Sequence, residues 1–249
     1  MPITTTSQGS ALTITLDRPE RRNAMDAVMA EQLEQALDQL ENDPELRVGI
    51  LTGAAGHFSA GTDLSLPRSP ATQRGGEYGI VRRLRAKPLI AAVEGVAFGG
   101  GLEIVLACEL IVVASGARLA LPEAQRGLVP TCGGIFRILE ALPESVAMGV
   151  LLAGEEIDGA TAGRLGLATR VGANGHAVSL ALELAESVCR RRHPFRLSWV
   201  RSHRFAPQVP QRVGVPPPTR SPRSTVAQTC KRGSLRSSSG EFPPGTLMQ

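Results

Sequence analysis

The sequence predicts an α/β fold, on three observations. Short continuous apolar runs at 48–52, 88–93 and 110–114 have the character of strands buried on both faces. Segments between and after them repeat apolar residues at helical spacing. The two kinds of segment alternate along the chain, the pattern of βα crossovers and a largely parallel sheet. A chain of 249 residues is long enough to bury a sizeable core as one domain with an appendage.

In chain order, Ala11-Leu-Thr-Ile-Thr-Leu16 alternates with period two and stops at Arg18-Pro19, so it is expected to be a half-buried strand. From Asp26 to about Glu41, Met29, Leu33, Ala36 and Leu40 recur at helical spacing, and Asp26 stands where an N-cap belongs. Val48–Thr52 reads as a second strand, and 53–62 as a loop rich in Gly and Ala. Pro88–Val93 is expected to run directly into "FGGGLEIVLAC" at 98–108, giving strand, glycine turn, helix. Leu110–Ala114 is another buried strand. Helices are expected at Gly134–Ala141, Pro143–Leu152 and His176–Cys189.

The domain boundary falls after residue 189. Residues 1–189 hold 15 basic and 22 acidic side chains, whereas 190–249 hold 12 basic and one acidic, Glu241. The net charge of +4 therefore belongs to the tail. That tail is rich in Arg, Pro and Ser, lacks any sustained period, and is expected to be disordered. Phosphate contacts from it would suit nucleic acid, but Phe195, Trp199, Phe205 and Phe242 are its only stacking candidates, and their spacing argues against that partner. Cys108, Cys132, Cys189 and Cys230 are too far apart for a zinc knuckle or a redox pair. The first ten residues lack a basic region followed by an apolar core, and no apolar run approaches ~18 residues, so a soluble cytoplasmic protein without a membrane partner is expected.

Three stretches carry chemistry. Gly99-Gly-Gly101 stand at a strand-to-helix junction, where backbone amides lack partners and a missing β-carbon lets a ligand approach. Glu103, three residues beyond Gly100, faces the same space. The plainer alternative is a packing junction with a carboxylate capping its own helix. Leu121-Pro-Glu123-Ala124 supplies a second carboxylate in an apolar setting, ahead of Gly133-Gly134, and two such carboxylates can divide acid and base roles. Taken singly, Glu123 equally fits a surface helix start. In His57-Phe-Ser-Ala-Gly-Thr-Asp-Leu64 the chain turns around Gly61, where a free amide can serve an oxyanion.

Together with "LDRPERRNAMD" at 16–26, "KPLIAAVEGVAFGGGLEIVLACEL" at 87–110, "LALPEAQRGLVPTCGGIFRI" at 119–138 and "LLAGEEIDGATAGRLGLATRV" at 151–171, these stretches resemble the enoyl-CoA hydratase/isomerase, or crotonase, family in order and spacing. The resemblance spans roughly residues 10–189. It implies a spiral of ββα repeats that binds an acyl-CoA thioester, holds the thioester oxygen with the N–H groups of Thr62 and Gly100, and uses Glu103 and Glu123 for acid–base work. Arg22, Ala24, Ala60, Gly61, Asp63 and Leu64 fall in the segments implied to line the coenzyme A path. Coenzyme A enters as part of the substrate, with no metal or separate cofactor.

Retaining both glutamates favours hydration of the 2,3 double bond. Isomerisation, other acyl-CoA chemistry and an inactive crotonase-like protein remain as alternatives. Glu109 stands where the family often carries Asp, and Pro130-Thr-Cys-Gly133 replaces a commoner small-residue run near the implied acyl pocket. The family implies a homotrimer or dimer of trimers, yet its C-terminal helices have no counterpart after about residue 190. Because all but Lys87 and Lys231 of the 27 basic residues are Arg, a GC-rich gene with a reading-frame change near 189–192 is expected to account for the tail. The competing account is an authentic basic extension.

Overall fold

The computed structural model describes residues 2–190. The strands are β1 (Ile3–Gln8), β2 (Ala11–Leu16), β3 (Val48–Gly53), β4 (Ala71–Thr72), β5 (Gly76–Glu77), β6 (Leu89–Val93), β7 (Val96–Phe98), β8 (Leu110–Ala114), β9 (Arg118–Ala120), β10 (Ile157–Asp158) and β11 (Arg170–Gly172). The helices are α1 (Ala27–Asn42), α2 (Gly100–Leu106), α3 (Gly134–Ala141), α4 (Glu144–Met148), α5 (Gly159–Arg164) and α6 (Ala177–Arg190). The main sheet runs β1-β2-β3-β6-β8-β11, with only the β1–β2 hairpin antiparallel.

Period-two alternation divides the core between the two faces of this sheet. Val48 and Ile50 of β3, Ile90 and Ala92 of β6, and Val112 of β8 pack with Ala177, Ala181, Leu184 and Ala185 of α6. The intervening residues Leu51, Leu89, Ala91, Val93, Ile111 and Val113 point the other way, into the larger core that α1 closes with Met29, Leu33, Leu37 and Leu40. Both faces are covered, which is why these three strands read as unbroken apolar runs. Asp26 caps α1 by accepting the Met29 N–H at 2.8 Å, an interaction worth about 1 kcal/mol.

The second sheet, β10-β9-β7, positions the chemistry. β7 and β9 are parallel, with Val96, Ala97 and Phe98 opposite Arg118, Leu119 and Ala120. The segment after β3 joins them: Ser59 bridges Ala97 in parallel, and the Phe98 N–H donates to Ser59 O at 3.0 Å. Three chain segments thus run side by side in one direction and end at one edge, with Thr62, Gly100 and Glu123 a few residues beyond their last pairings. The carboxyl ends of parallel strands are where α/β proteins bind ligands.

The expected elements form, with three corrections. β6 does not lead straight into α2: the chain turns at Gly95, φ 54°, and β7 intervenes in the other sheet. Three residues cannot display a period, so β7 was invisible as a strand. The helix expected at Pro143–Leu152 is regular only over α4 and continues as a π-helical turn over Gly149–Ala153. β1 was not expected either, because it is an edge strand whose side chains, Ile3 apart, are exposed and show no alternation of polarity. Residues beyond 190, with the domain assignment made for them, lie outside the described residues.

Candidate active site

The three glycines have three separate reasons. Gly99, the residue before α2, has φ 53° and ψ −122°, a conformation that side chains disfavour, and a β-carbon on it would stand 2.9 Å from Glu123 Oε1. On Gly100 a β-carbon would collide with the Tyr78 hydroxyl. On Gly101 it would collide with the backbone oxygen of Ser59, so this glycine serves the packing of α2 against the loop after β3. The packing alternative thus holds for Gly101, whereas Gly99 and Gly100 border a polar space.

The Gly99 N–H donates to Ala120 O at 2.9 Å, tying the start of α2 to the end of β9 and bringing Glu123, in a short 3-10 turn (Pro122–Arg126), beside it. Neither the Gly100 N–H nor the Thr62 N–H donates to an acceptor among the described residues. A β-carbon on Gly61, which has φ 96°, would lie 3.0 Å from the Gly100 nitrogen, so the Gly61–Thr62 backbone and the first turn of α2 are in near contact. Two unengaged amides from neighbouring segments can hold one developing oxyanion, each such donor being worth about 2.7–4 kcal/mol to a reaction that builds charge there.

Glu103 is 2% exposed, in a helix buried along its whole length. Its carboxylate does not cap its own helix. Oε1 instead accepts the N–H groups of Cys132 at 2.8 Å and Gly134 at 2.9 Å, drawn from the turn that precedes α3. Glycine at 134 leaves room for that carboxylate, since a β-carbon there would lie 2.9 Å from the Glu103 side chain. Burial pushes the Glu103 carboxyl above the usual carboxylate range, against the pull of the two amides. Glu123 is raised as well, first by burial and then by the negative charge of Glu103, and its Oε2 is buried without a hydrogen-bond partner among the described residues. The charge of buried Glu103 is thus felt at half-buried Glu123. Two amides favour the charged form of Glu103 against its burial, whereas for Glu123 only its own backbone N–H and the charge of Arg126 oppose the rise.

Among the residues assigned to the coenzyme A path, Ala60 and Arg22 are joined, the Ala60 N–H donating to Arg22 O at 2.9 Å. The Arg22 side chain is exposed on a left-handed turn, φ 50°. Ala24 and Gly61 are buried, and Leu64 is 76% exposed. Asp63 is engaged within the protein: Arg18 donates to it at 2.8 Å, and the Ser65 N–H and hydroxyl donate at 3.0 and 2.8 Å. Those hydrogen bonds hold its carboxyl down to about 2. Glu109 is likewise structural, accepting from Arg85 at 2.8 Å and the Leu89 N–H at 2.9 Å.

Sequence reasoning missed the opposite wall. The Tyr78 hydroxyl lies 2.8 Å from Thr62 Oγ1 and 3.1 Å from Ser69 Oγ, and Ser69 and Thr131 border a cleft of about 510 Å³. One signal was available, since Tyr78 is the only tyrosine in the chain and sits among Gly75, Gly76 and Gly79. Asn23 was also passed over. It is fully buried, and its amide nitrogen donates to Ala54 O at 3.0 Å and His57 O at 2.8 Å, fixing the loop that delivers Thr62.

The family model for enoyl-CoA hydratase/isomerase matches residues 6–197. An enoyl-CoA hydratase of Mycobacterium tuberculosis is 38% identical over 191 residues, which cover 73% of this chain and 72% of that one. A carnitinyl-CoA dehydratase of Escherichia coli is 39% identical over 190 residues, covering 74% and 72%. Among solved structures, an enoyl-CoA hydratase of Mycobacterium tuberculosis superposes with a TM-score of 0.75 at 37% identity, over 82% of this chain and 80% of that one. A carnitinyl-CoA dehydratase of Mycobacterium avium gives 0.75 at 39%, over 82% of both chains. Matched by that family model over most of its length and by relatives at 37–39% identity, the chain belongs to the enoyl-CoA hydratase/isomerase family.

Proposed function

We propose that the chain is an enoyl-CoA hydratase, adding water across the 2,3 double bond of an enoyl-CoA thioester. The observation that carries this reading is the meeting of Glu103 and Glu123 beside the two unengaged amides of Thr62 and Gly100. Polarising the thioester makes C3 electrophilic and loads charge onto the oxygen that the amides hold. Glu103, whose charged form two N–H groups favour, takes a proton from water as the water oxygen bonds to C3. Glu123, whose carboxyl burial pushes above the usual carboxylate range, is the group assigned to deliver a proton to C2. The double bond becomes a C–H and a C–OH bond, and no electrons leave the substrate. Run backwards, the same pair dehydrates, in keeping with relatives named both hydratase and dehydratase.

Arg22, Ala24, Ala60, Gly61, Asp63 and Leu64 are proposed to line the coenzyme A path, with the exposed guanidinium of Arg22 available to its phosphates. Asp63 contributes through the backbone and through its hold on Arg18 rather than as a free charge. The proposed assembly is a homotrimer, in the cytoplasm. No helix among the described residues is long and apolar enough to cross a membrane.

The test is to incubate purified protein with enoyl-CoA substrates of short and long chain and follow loss of the conjugated thioester absorbance, with the product identified by mass. Gain of one water supports hydration. An unchanged mass with the double bond moved would replace the reading by isomerisation.

A further inference from the structure

The wall facing Gly100 holds a buried phenol that the chemistry above does not use. Tyr78 is 1% exposed and is held at φ 55°, a left-handed conformation unfavourable for a bulky residue. Its N–H donates to Pro70 O at 2.8 Å, and Gly76 and Gly79 beside it also have positive φ. The local chain accepts this backbone, and the result is a ring driven inward with its oxygen against Gly100. That oxygen, followed by ring carbon Cζ at 2.5 Å, is what a β-carbon on Gly100 would strike. The hydroxyl is therefore packed on one amide-bearing residue and, at 2.8 Å from Thr62 Oγ1, bonded to the side chain of the other.

Thr62, Ser69 and Tyr78 form a triangle of hydroxyls with edges of 2.8, 3.1 and 3.2 Å. Each hydroxyl carries one hydrogen, so three hydrogens serve three edges, and a hydroxyl that turns outward gives up one edge while the other two persist. Burial pushes the Tyr78 phenol up, so it remains a donor at neutral pH. Tyr78 is the member that lies against Gly100.

We propose that the Tyr78 hydroxyl touches the bound acyl-CoA, donating a third hydrogen bond to the thioester oxygen beside the amides of Thr62 and Gly100. The proposal rests on the acyl-CoA reading given above.

Two ligands separate this role from a structural one. Butyryl-CoA is saturated and carries the thioester oxygen, whereas S-butyl-CoA, a thioether, has a methylene in its place. Calorimetric titration of the full chain with both should find that Tyr78→Phe weakens butyryl-CoA about tenfold, the worth of one hydrogen bond in a dry site, while S-butyl-CoA binding changes less than about twofold. Ser69→Ala, which removes a partner and leaves the phenol, should keep the wild-type preference. Equal losses for both ligands, no loss, tighter butyryl-CoA binding by Tyr78→Phe, or loss of the preference in Ser69→Ala would each overturn the proposal. Because Tyr78 is the only tyrosine, the wild-type protein supplies a second reading that needs no variant. Isotopically labelled tyrosine gives a single phenol-carbon NMR signal, which should move with butyryl-CoA and stay in place with S-butyl-CoA; the same response to both ligands, or none, counts against the contact. If the wild-type protein binds neither ligand, the acyl-CoA reading itself fails.

Discussion

Glu103 and Glu123 differ in a way that substitution can separate. Glu103 Oε1 accepts two buried N–H groups, whereas Glu123 Oε2 is bonded to nothing. Glu103→Gln retains an oxygen able to accept both amides, so its folding should be close to wild type while turnover falls by about 10²–10⁴, the range for an acid–base group. Glu103→Ala strands two buried donors at about 1–3 kcal/mol each, so about 2–6 kcal/mol of stability should go as well. In a domain of this size that lowers the midpoint by on the order of 10 °C. Glu123→Ala removes a carboxylate with an unpaired buried oxygen, and should cost much less stability for a comparable loss of turnover. The assay is thermal unfolding of the four Gln and Ala variants alongside initial rates on one enoyl-CoA. Glu123→Ala as unstable as Glu103→Ala, or Glu103→Gln at full activity, would refute the division of labour.

Both glutamates have folded-state pKa values raised above 4.5, so the stabilisation each gives is complete below that pH and is lost as pH rises through the folded value. Glu123→Gln should therefore match wild type in stability at pH 4 and gain on it as pH rises above 4.5, levelling off beyond the folded value; a stability difference that stays constant from pH 4 upward would contradict the upward shift. Gly100→Val, which drives a side chain into the Tyr78 hydroxyl, should abolish turnover, whereas folded Gly100→Val at full rate would remove the oxyanion site from Gly100. For the tail, the family match stops at residue 197, and the proposed frame change predicts that translating the gene in its other frames downstream of Cys189 yields amphipathic helices. No such helices, together with a stable and active trimer from the chain as it stands, would instead establish the basic extension as authentic.

How far the site was legible in the sequence depended on whether its parts lie close along the chain. Gly100 and Glu103 share one helical turn, so three residues of spacing were enough to put an amide and a carboxylate in one space. The main-sheet strands were legible because covering on both faces demands apolar side chains at every position. What the sequence could not convey was the pairing of β7 with β9, only three residues each, which alone brings Glu123 to Gly99 across more than twenty positions of chain. The two Glu103 partners were hidden for another reason: they are backbone N–H groups, which every residue but proline carries, so Cys132 and Gly134 announce nothing by their type.

The same reasoning explains why one wall of the site was read and the other was not. On the α2 side, function constrains what must be missing, and missing side chains are conspicuous as a run of glycine. On the Tyr78 side, function is carried by a single phenol aimed by an unfavourable φ, and an aromatic residue between glycines looks like any surface turn until its oxygen is seen against Gly100. The β-carbon absent from Gly100 and the hydroxyl present on Tyr78 are complementary, since the phenol oxygen fits only because position 100 has no side chain. A substitution at either residue is therefore felt at the other, and Gly100→Ala should displace the phenol before it obstructs a thioester. The order of those two losses can be measured: the tyrosine NMR signal of Gly100→Ala should already be shifted in the ligand-free protein, and an unshifted signal would mean that the two walls are independent.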